Sequence, residues 1–143
     1  MDFANGAQQH CYEQAQRHLE GAFGPQVQEH PHEPSFFVAT GRVGVRVDVT
    51  AVGEDDAVID VLSWIAQGLP VTPDVGEWLA RRAIGLGFGA LAIDGEDAII
   101  VQHSLFAEGA NGVVLPRLVA LMGTTADAID AELHEEFTTH PGR

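Results

Sequence analysis

The chain has 143 residues, of which 7 are basic and 21 acidic, giving a formal net charge of −14, and 45% are hydrophobic. All the basic residues are arginines and only Arg81 and Arg82 are adjacent, so the clustered cations that bind nucleic acid or anionic lipid are missing. No stretch approaches the roughly 18 apolar residues of a membrane-spanning helix. These features predict one soluble domain spanning 1–143, whose acidity serves solubility or favours a basic partner segment.

The first residues lack the basic start and apolar run of a secretory signal, which predicts a cytoplasmic protein. Cys11 is the single cysteine, so neither an internal disulfide nor a multi-cysteine zinc site is expected. His18 lies two helical turns further on, too far to activate Cys11 as a nucleophile. We therefore expect Cys11 to be a buried structural thiol.

The first half of the chain predicts a helix followed by three strands. Apolar or small residues recur every three or four positions from Ala7 to Phe23, and Gly24-Pro25 ends that helix. The proline-rich segment 30–34 is typical of an exposed connector. Alternating or aromatic runs then predict strands at 35–40, 42–52 and 57–65.

The third of these strands is apolar on both faces, which indicates that a second layer or a subunit interface covers it. Trp78, on the apolar stripe of the next helix, is either a core residue or a partner anchor. The residues predicted to form a partner or dimer interface are aliphatic or aromatic: Val58, Leu62, Trp64 and Trp78.

The second half predicts a helix, a hairpin and a long final helix. Thr72-Pro73-Asp74 starts a helix that runs to about Leu86. Strands at 88–93 and 98–105 pair around the Asp94-Gly95 turn. After Asn111 the pattern fits one helix that can bend at Gly123, or two helices divided there by a capping box at Thr124 and Asp127, and we favour one helix. We expect a frayed tail over 138–143. The predicted fold is α+β, in the order α-β-β-β-α-β-β-α, with an antiparallel sheet packed by helices.

The residues that could carry chemistry form no recognisable active site. The glycines at 85, 87 and 89 follow a helix and enter a strand, the reverse of the dinucleotide-binding order, so they indicate helix termination and close packing. His30 and His32 with Glu33 are too few to predict a metal site. The carboxylate pairs Asp55-Asp56 and Glu96-Asp97 fall in predicted turns and indicate surface charge. No metal or cofactor is expected.

Two alternatives remain open from the residues alone. Polar groups could converge only in three dimensions, around His103, Ser104 and Asp60, to make an enzyme or a small-ligand site. The chain could also be a structural or regulatory subunit with one fixed partner.

Several segments of the second half resemble the YbjN-like branch of the type III secretion chaperone-like (CesT-like) superfamily. They are Leu86-Gly-Phe-Gly-Ala-Leu-Ala-Ile-Asp-Gly95, Ile100-Val-Gln-His-Ser-Leu105 and Thr125-Ala126-Asp127, and the predicted element order agrees over essentially the whole chain. The resemblance implies a non-enzymatic domain, often homodimeric, that binds an extended or helical segment of another protein. The expected partners are therefore a second copy of the chain and a protein or peptide segment.

Overall fold

A computed structural model describes residues 1–138 of the protein. Of the tail predicted to fray over 138–143, Thr138 is the last residue of a helix and the rest lies outside the described residues. The described helices are α1 (Gly6–Phe23), α2 (Pro73–Ile84) and α3 (Val114–Thr138). The strands are β1 (Val27–Glu29), β2 (Ser35–Val38), β3 (Val45–Val52), β4 (Asp56–Ile65), β5 (Ala90–Ile93) and β6 (Ile99–Phe106). Short 3-10 turns at Gly24–Gln26 and Ala107–Gly109 follow α1 and β6.

The strands form one six-stranded antiparallel sheet in the order β1-β2-β3-β4-β6-β5. This confirms the predicted α+β fold with its antiparallel sheet and packed helices. The structure adds one strand, β1, between the predicted end of the first helix and the proline-rich connector. Three residues are too few to display an alternating pattern, and β1 exists because its position next to Val38 lets it pair with the edge of β2.

Helices α1 and α3 cover one face of the sheet and bury the core. Ile59 and Val61 of β4 and Val47 of β3 are completely buried on this face, against Leu19 of α1 and Met122 of α3. Helix α2 lies beside α3, where Arg82 and Glu132 form an ion pair of 3.2 Å. Among the described residues, no helix lies against the other face of the sheet, and we call it the open face.

The helix starts follow the capping rules. The Thr72 hydroxyl accepts the Val75 N–H at 3.3 Å, as predicted for α2. The Asn5 carboxamide does the same for α1, accepting the Gln8 N–H at 2.7 Å. Helix α2 ends at Ile84, two residues before the predicted end, because the N–H of Gly85 turns back to the Arg82 carbonyl.

Helix α3 runs unbroken through Gly123, as the favoured prediction had it. A Cβ at Gly123 would lie 3.2 Å from Thr40 Cγ2 and 3.6 Å from Val45 Cγ2. The Thr124 hydroxyl donates back to the Ala120 carbonyl at 3.2 Å and does not begin a new helix. The glycine therefore serves the close approach of helix and sheet.

Candidate binding surfaces

The open face of the sheet has an apolar end. Phe106 of β6 is 64% exposed and Val52 of β3 is 42% exposed. Val58 is half-buried and lies directly opposite Phe106 in the β4–β6 ladder. Apolar side chains that stay exposed on a sheet face, with no covering layer, are a feature of interaction surfaces.

Trp64 dominates the other end of the open face. It is half-buried and lies opposite Ile100, and the guanidinium carbon of Arg46 stands 5.8 Å from the centre of its ring. Backbone N–H groups of Ala98 and Glu96 lower the pKa of Asp94, and a hydrogen bond from the Trp64 side chain adds to this effect. The indole is thus held in place by polar partners on two sides.

The charged groups of the open face are largely satisfied by one another. Arg46 pairs with Asp48 at 2.6 Å and with Glu33 at 3.0 Å. The hydrogen bond to Asp48 is the main cause that raises the pKa of Arg46. Ser104 donates to Asp60 across the β4–β6 ladder. This face therefore offers apolar contact, the Arg46 ion pairs and a hydrogen-bonded carboxylate, Asp60.

The four predicted interface residues do not form one patch in the described chain. Val58, Leu62 and Trp64 lie at alternate positions of β4 and share the open face. Leu62 is only 9% exposed, so it contributes little accessible surface. Trp78 lies on α2, where it is half-buried and packs against the core. Of the four, only Val58 and Trp64 therefore keep accessible surface on the open face.

The polar side chains of the alternative site, His103, Ser104 and Asp60, do not converge. Ser104 and Asp60 meet on the open face, whereas His103 points to the opposite face and stacks on Phe88 with ring centres 5.0 Å apart. Adjacent residues of a strand face opposite sides, which separates the imidazole from the hydroxyl. Within residues 1–138, the hydrogen-bond partner of the Ser104 hydroxyl is the Asp60 carboxylate, and the His103 imidazole lies on the other face.

The other candidates for chemistry have structural roles. The Nδ1 atom of His30 accepts the backbone N–H groups of His32 and Glu33 at 3.1 and 3.0 Å, which shapes the loop before β2. In the part of the chain that the structure describes, no three His, Cys, Asp or Glu side chains are grouped to hold a metal ion. Cys11 is 5% exposed, and burial raises its thiol pKa to about 11.

A groove of about 460 Å³ runs along α1, and we call it the α1 groove. Its three walls are α1, the turn that leads into β4, and the segment from Phe106 to Asn111. Sequence reasoning missed it because these walls come from three distant parts of the chain. The signal that was available is a surplus of small apolar residues, since the lining includes Ala7, Ala57, Ala107 and Ala110.

The outer side of α3 is a third candidate surface, and we call it the α3 face. Over about five helical turns its exposed positions include a single charged residue, Arg117. Leu121 is 48% exposed and Val113 is 65% exposed. The members of this face are Val113, Val114, Arg117, Ala120, Leu121, Thr124, Ala128 and Ala131.

A family model described as TY-Chap1, T3SS (YopN, CesT) and YbjN peptide-binding chaperone 1, matches residues 9–140. The chain belongs to the TY-Chap1 family. The match confirms the resemblance that the hairpin and the Thr125–Asp127 segment suggested. No curated protein matches the sequence of this family member.

The TY-Chap1 match begins inside α1 and ends beyond the last described residue of α3, so it includes all of the sheet. All three candidate surfaces are therefore built mainly on the matched region. Among the helices of residues 1–138, none is both long enough and apolar enough to span a bilayer.

Proposed function

We propose that this TY-Chap1 protein is a non-enzymatic chaperone or adaptor that binds a peptide or protein segment in the cytoplasm. The observation that carries the proposal is the family match over residues 9–140, since the family's name describes peptide-binding chaperones. The open face supplies a physical basis. It keeps aromatic and aliphatic side chains accessible on a rigid sheet, which limits the entropy lost when a partner binds.

The apolar end of the open face is the part best suited to a partner. Phe106, Val52 and Val58 come from three strands, yet they lie close together because the ladder registers bring the strand ends side by side. The aromatic ring of Phe106 offers the kind of contact that dominates binding energy at interfaces. We assign Val58 and Trp64 to the partner interface, with Leu62 between them on the same face of β4, whereas Trp78 on α2 packs against the core.

We also propose a homodimer. With a net charge of −14, two copies repel each other over most of their surfaces. The α3 face avoids this repulsion, because its exposed positions carry no carboxylate. The open face, which carries Asp48 and Asp60, is then left free for the partner segment.

The test is native mass spectrometry of untagged protein purified from its own cells. We expect a dimer that retains substoichiometric amounts of a polypeptide. The retained segment is then synthesised and titrated against Val58→Arg, with Ile84→Arg as the control because Ile84 is 90% exposed on α2. We expect Val58→Arg to weaken binding by about tenfold or more and Ile84→Arg to leave it unchanged. A monomer that carries a stoichiometric small molecule and no polypeptide would overturn the proposal.

A further inference from the structure

The α1 groove has a shape suited to a short stretch of chain. It follows α1 from Ala7 to His18, a length of about 16 Å, which matches roughly five residues of extended peptide. Small alanine side chains on all three walls keep it open. Phe106 stands at its rim and also belongs to the open face, so the groove is continuous with the apolar end of that surface.

The walls of the α1 groove are held firmly. The Asn5 side-chain amide donates to the carbonyls of Gly53 and Asp56 at 3.0 Å each, which fixes the turn before β4 against the start of α1. On the far wall, the Asn111 carboxamide accepts the N–H groups of Val113 and Val114 at 2.9 Å each, at the beginning of α3. A groove built on fixed elements binds without first having to be ordered.

Apart from two histidines, the ionisable groups that line the groove and lie at its surface are carboxylates. The exposed carboxylates of Asp55 and Asp56 lie on one wall, and that of Glu108 lies on the wall formed after β6. Within residues 1–138, the ion pairs all involve other carboxylates. Four arginines are already paired elsewhere: Arg42 with Asp130, Arg46 with Asp48, Arg81 with Glu77 and Arg82 with Glu132. Within residues 1–138, no arginine forms an ion pair with any of the three groove carboxylates.

We propose that the α1 groove holds a segment of the partner polypeptide in which apolar side chains alternate with arginine or lysine. This inference rests on the proposed peptide-binding function and adds the chemical class of the segment. The apolar side chains of the segment contact the alanines of the groove walls, and its cationic groups pair with Asp55, Asp56 and Glu108. Partial burial by the bound segment strengthens such pairs relative to fully exposed ones.

Other occupants fit the α1 groove less well. An acidic segment is repelled by three carboxylates that, among residues 1–138, have no arginine paired with them. A second copy of this chain carries the same net charge of −14, and four of its seven arginines are already held in ion pairs. A purely apolar segment contacts the alanines but displaces water from the carboxylates without pairing with them. This loss of solvation costs free energy. The alternating apolar and basic segment satisfies both parts of the groove.

The test is a fluorescence-anisotropy titration with three labelled nine-residue peptides at about pH 8, above the ordinary histidine range, because His10 and His18 also line the groove. The peptides alternate leucine with arginine, leucine with glutamate, and serine with arginine. The binding variant is Asp55→Asn, Asp56→Asn and Glu108→Gln combined. The control variant, Asp74→Asn, Glu96→Gln and Asp97→Asn combined, removes the same charge from α2 and the β5–β6 turn.

We expect the leucine–arginine peptide to bind best and to lose about tenfold or more in affinity on the groove variant, and at most about twofold on the control variant. A groove-filling change, Ala7→Leu, should weaken the same peptide without altering the charge. Equal losses on both triple variants would overturn the inference, since they would reflect only the overall field. So would undiminished binding on the groove variant.

The outcome is separable from that of the proposed function. If the naturally retained polypeptide binds the wild-type protein and depends on Val58, but none of the basic peptides binds, the groove assignment is wrong and the peptide-binding function stands. If neither the retained polypeptide nor any peptide is found to bind, both are wrong.

Discussion

The carboxylate of Asp127 on α3 accepts the backbone N–H of Arg42 through both of its oxygens, at 2.7 and 2.9 Å. One of these oxygens also accepts the Val43 N–H at 3.0 Å. The turn between β2 and β3 is thereby fastened to the middle of α3. Gly41, the residue before Arg42, has a φ of 70°. A Cβ at this position would lie 2.6 Å from Asp127 Oδ2, so only glycine fits.

We predict that Asp127→Ala lowers the free energy of unfolding by about 2 kcal/mol, because two backbone donors lose a charged acceptor. Asp127→Asn should lose about half as much, since its side-chain carbonyl still accepts. Urea denaturation followed by circular dichroism measures both. Thr125→Ala, on the same helix, is the control and should change stability by about 0.5 kcal/mol or less. An Asp127→Ala protein as stable as the wild type would contradict this role.

The main elements could be predicted because their signals are local. The alternation in β3 and β4, the Thr72 cap and the Asp94-Gly95 turn each act within a few residues. The contact between Asp127 and Arg42 spans 85 positions and has no counterpart in local pattern. For the same reason the Thr125–Asp127 segment could be recognised as a family feature but not explained until the fold placed it against the turn.

The candidate surfaces were predicted only in part. The two-faced apolar pattern of β4 correctly indicated that Val58 and Trp64 share a face away from the core residue Ile59. The pattern could not reveal that Leu62 is buried within the single chain, because its burial depends on neighbouring strands. The α1 groove was out of reach, since Asn5 and Gly53, which fix its shape, lie 48 positions apart.

Gly87 and Gly89 form a matched pair that tests the role of the glycines after α2. Both have positive φ, at 66° and 70°. A Cβ at Gly87 would meet no atom within 4 Å, whereas one at Gly89 would lie 2.8 Å from the backbone oxygen of Gln102. Gly87→Ala should therefore cost about 1 kcal/mol for its conformation alone, and Gly89→Ala about 2 to 3 kcal/mol because the β5–β6 ladder must also shift.

Thermal or urea unfolding of the two alanine variants measures that difference. Equal losses would show that Gly89 is needed only for its backbone angle. A larger loss for Gly87→Ala would contradict the close approach between the Gly89 backbone and β6.

We predict that ionisation of the buried Cys11 thiol destabilises the protein at alkaline pH. Burial raises its pKa from the ordinary 9.0 to about 11, so the folded state keeps the proton more tightly than the unfolded state. The resulting stabilisation is complete below the unfolded pKa and is lost as the pH rises towards the folded one. From about pH 8 to pH 10, the wild type should lose about 1 kcal/mol more stability than Cys11→Ala.

Denaturation curves of both proteins at each pH test this, and the comparison isolates Cys11 from its neighbour. Burial also raises the pKa of Tyr12, whose hydroxyl donates to Glu29, but Tyr12 is present in both proteins. Identical pH dependence of the two proteins would contradict a buried thiol. Slow reaction of native Cys11 with a thiol reagent at neutral pH is the accompanying expectation.

The proposed dimer and its surface can be tested with three substitutions to glutamate. Leu121→Glu places a charge at the centre of the α3 face and should weaken the dimer by about tenfold or more, because an unpaired carboxylate is then desolvated in each copy. Ile84→Glu, at a residue that is 90% exposed on α2, should leave the dimer intact. Trp64→Glu should weaken binding of the partner segment and leave the dimer intact. Analytical ultracentrifugation over a dilution series measures the three, and a dimer that is lost with Trp64→Glu but kept with Leu121→Glu would assign the open face to the second copy instead.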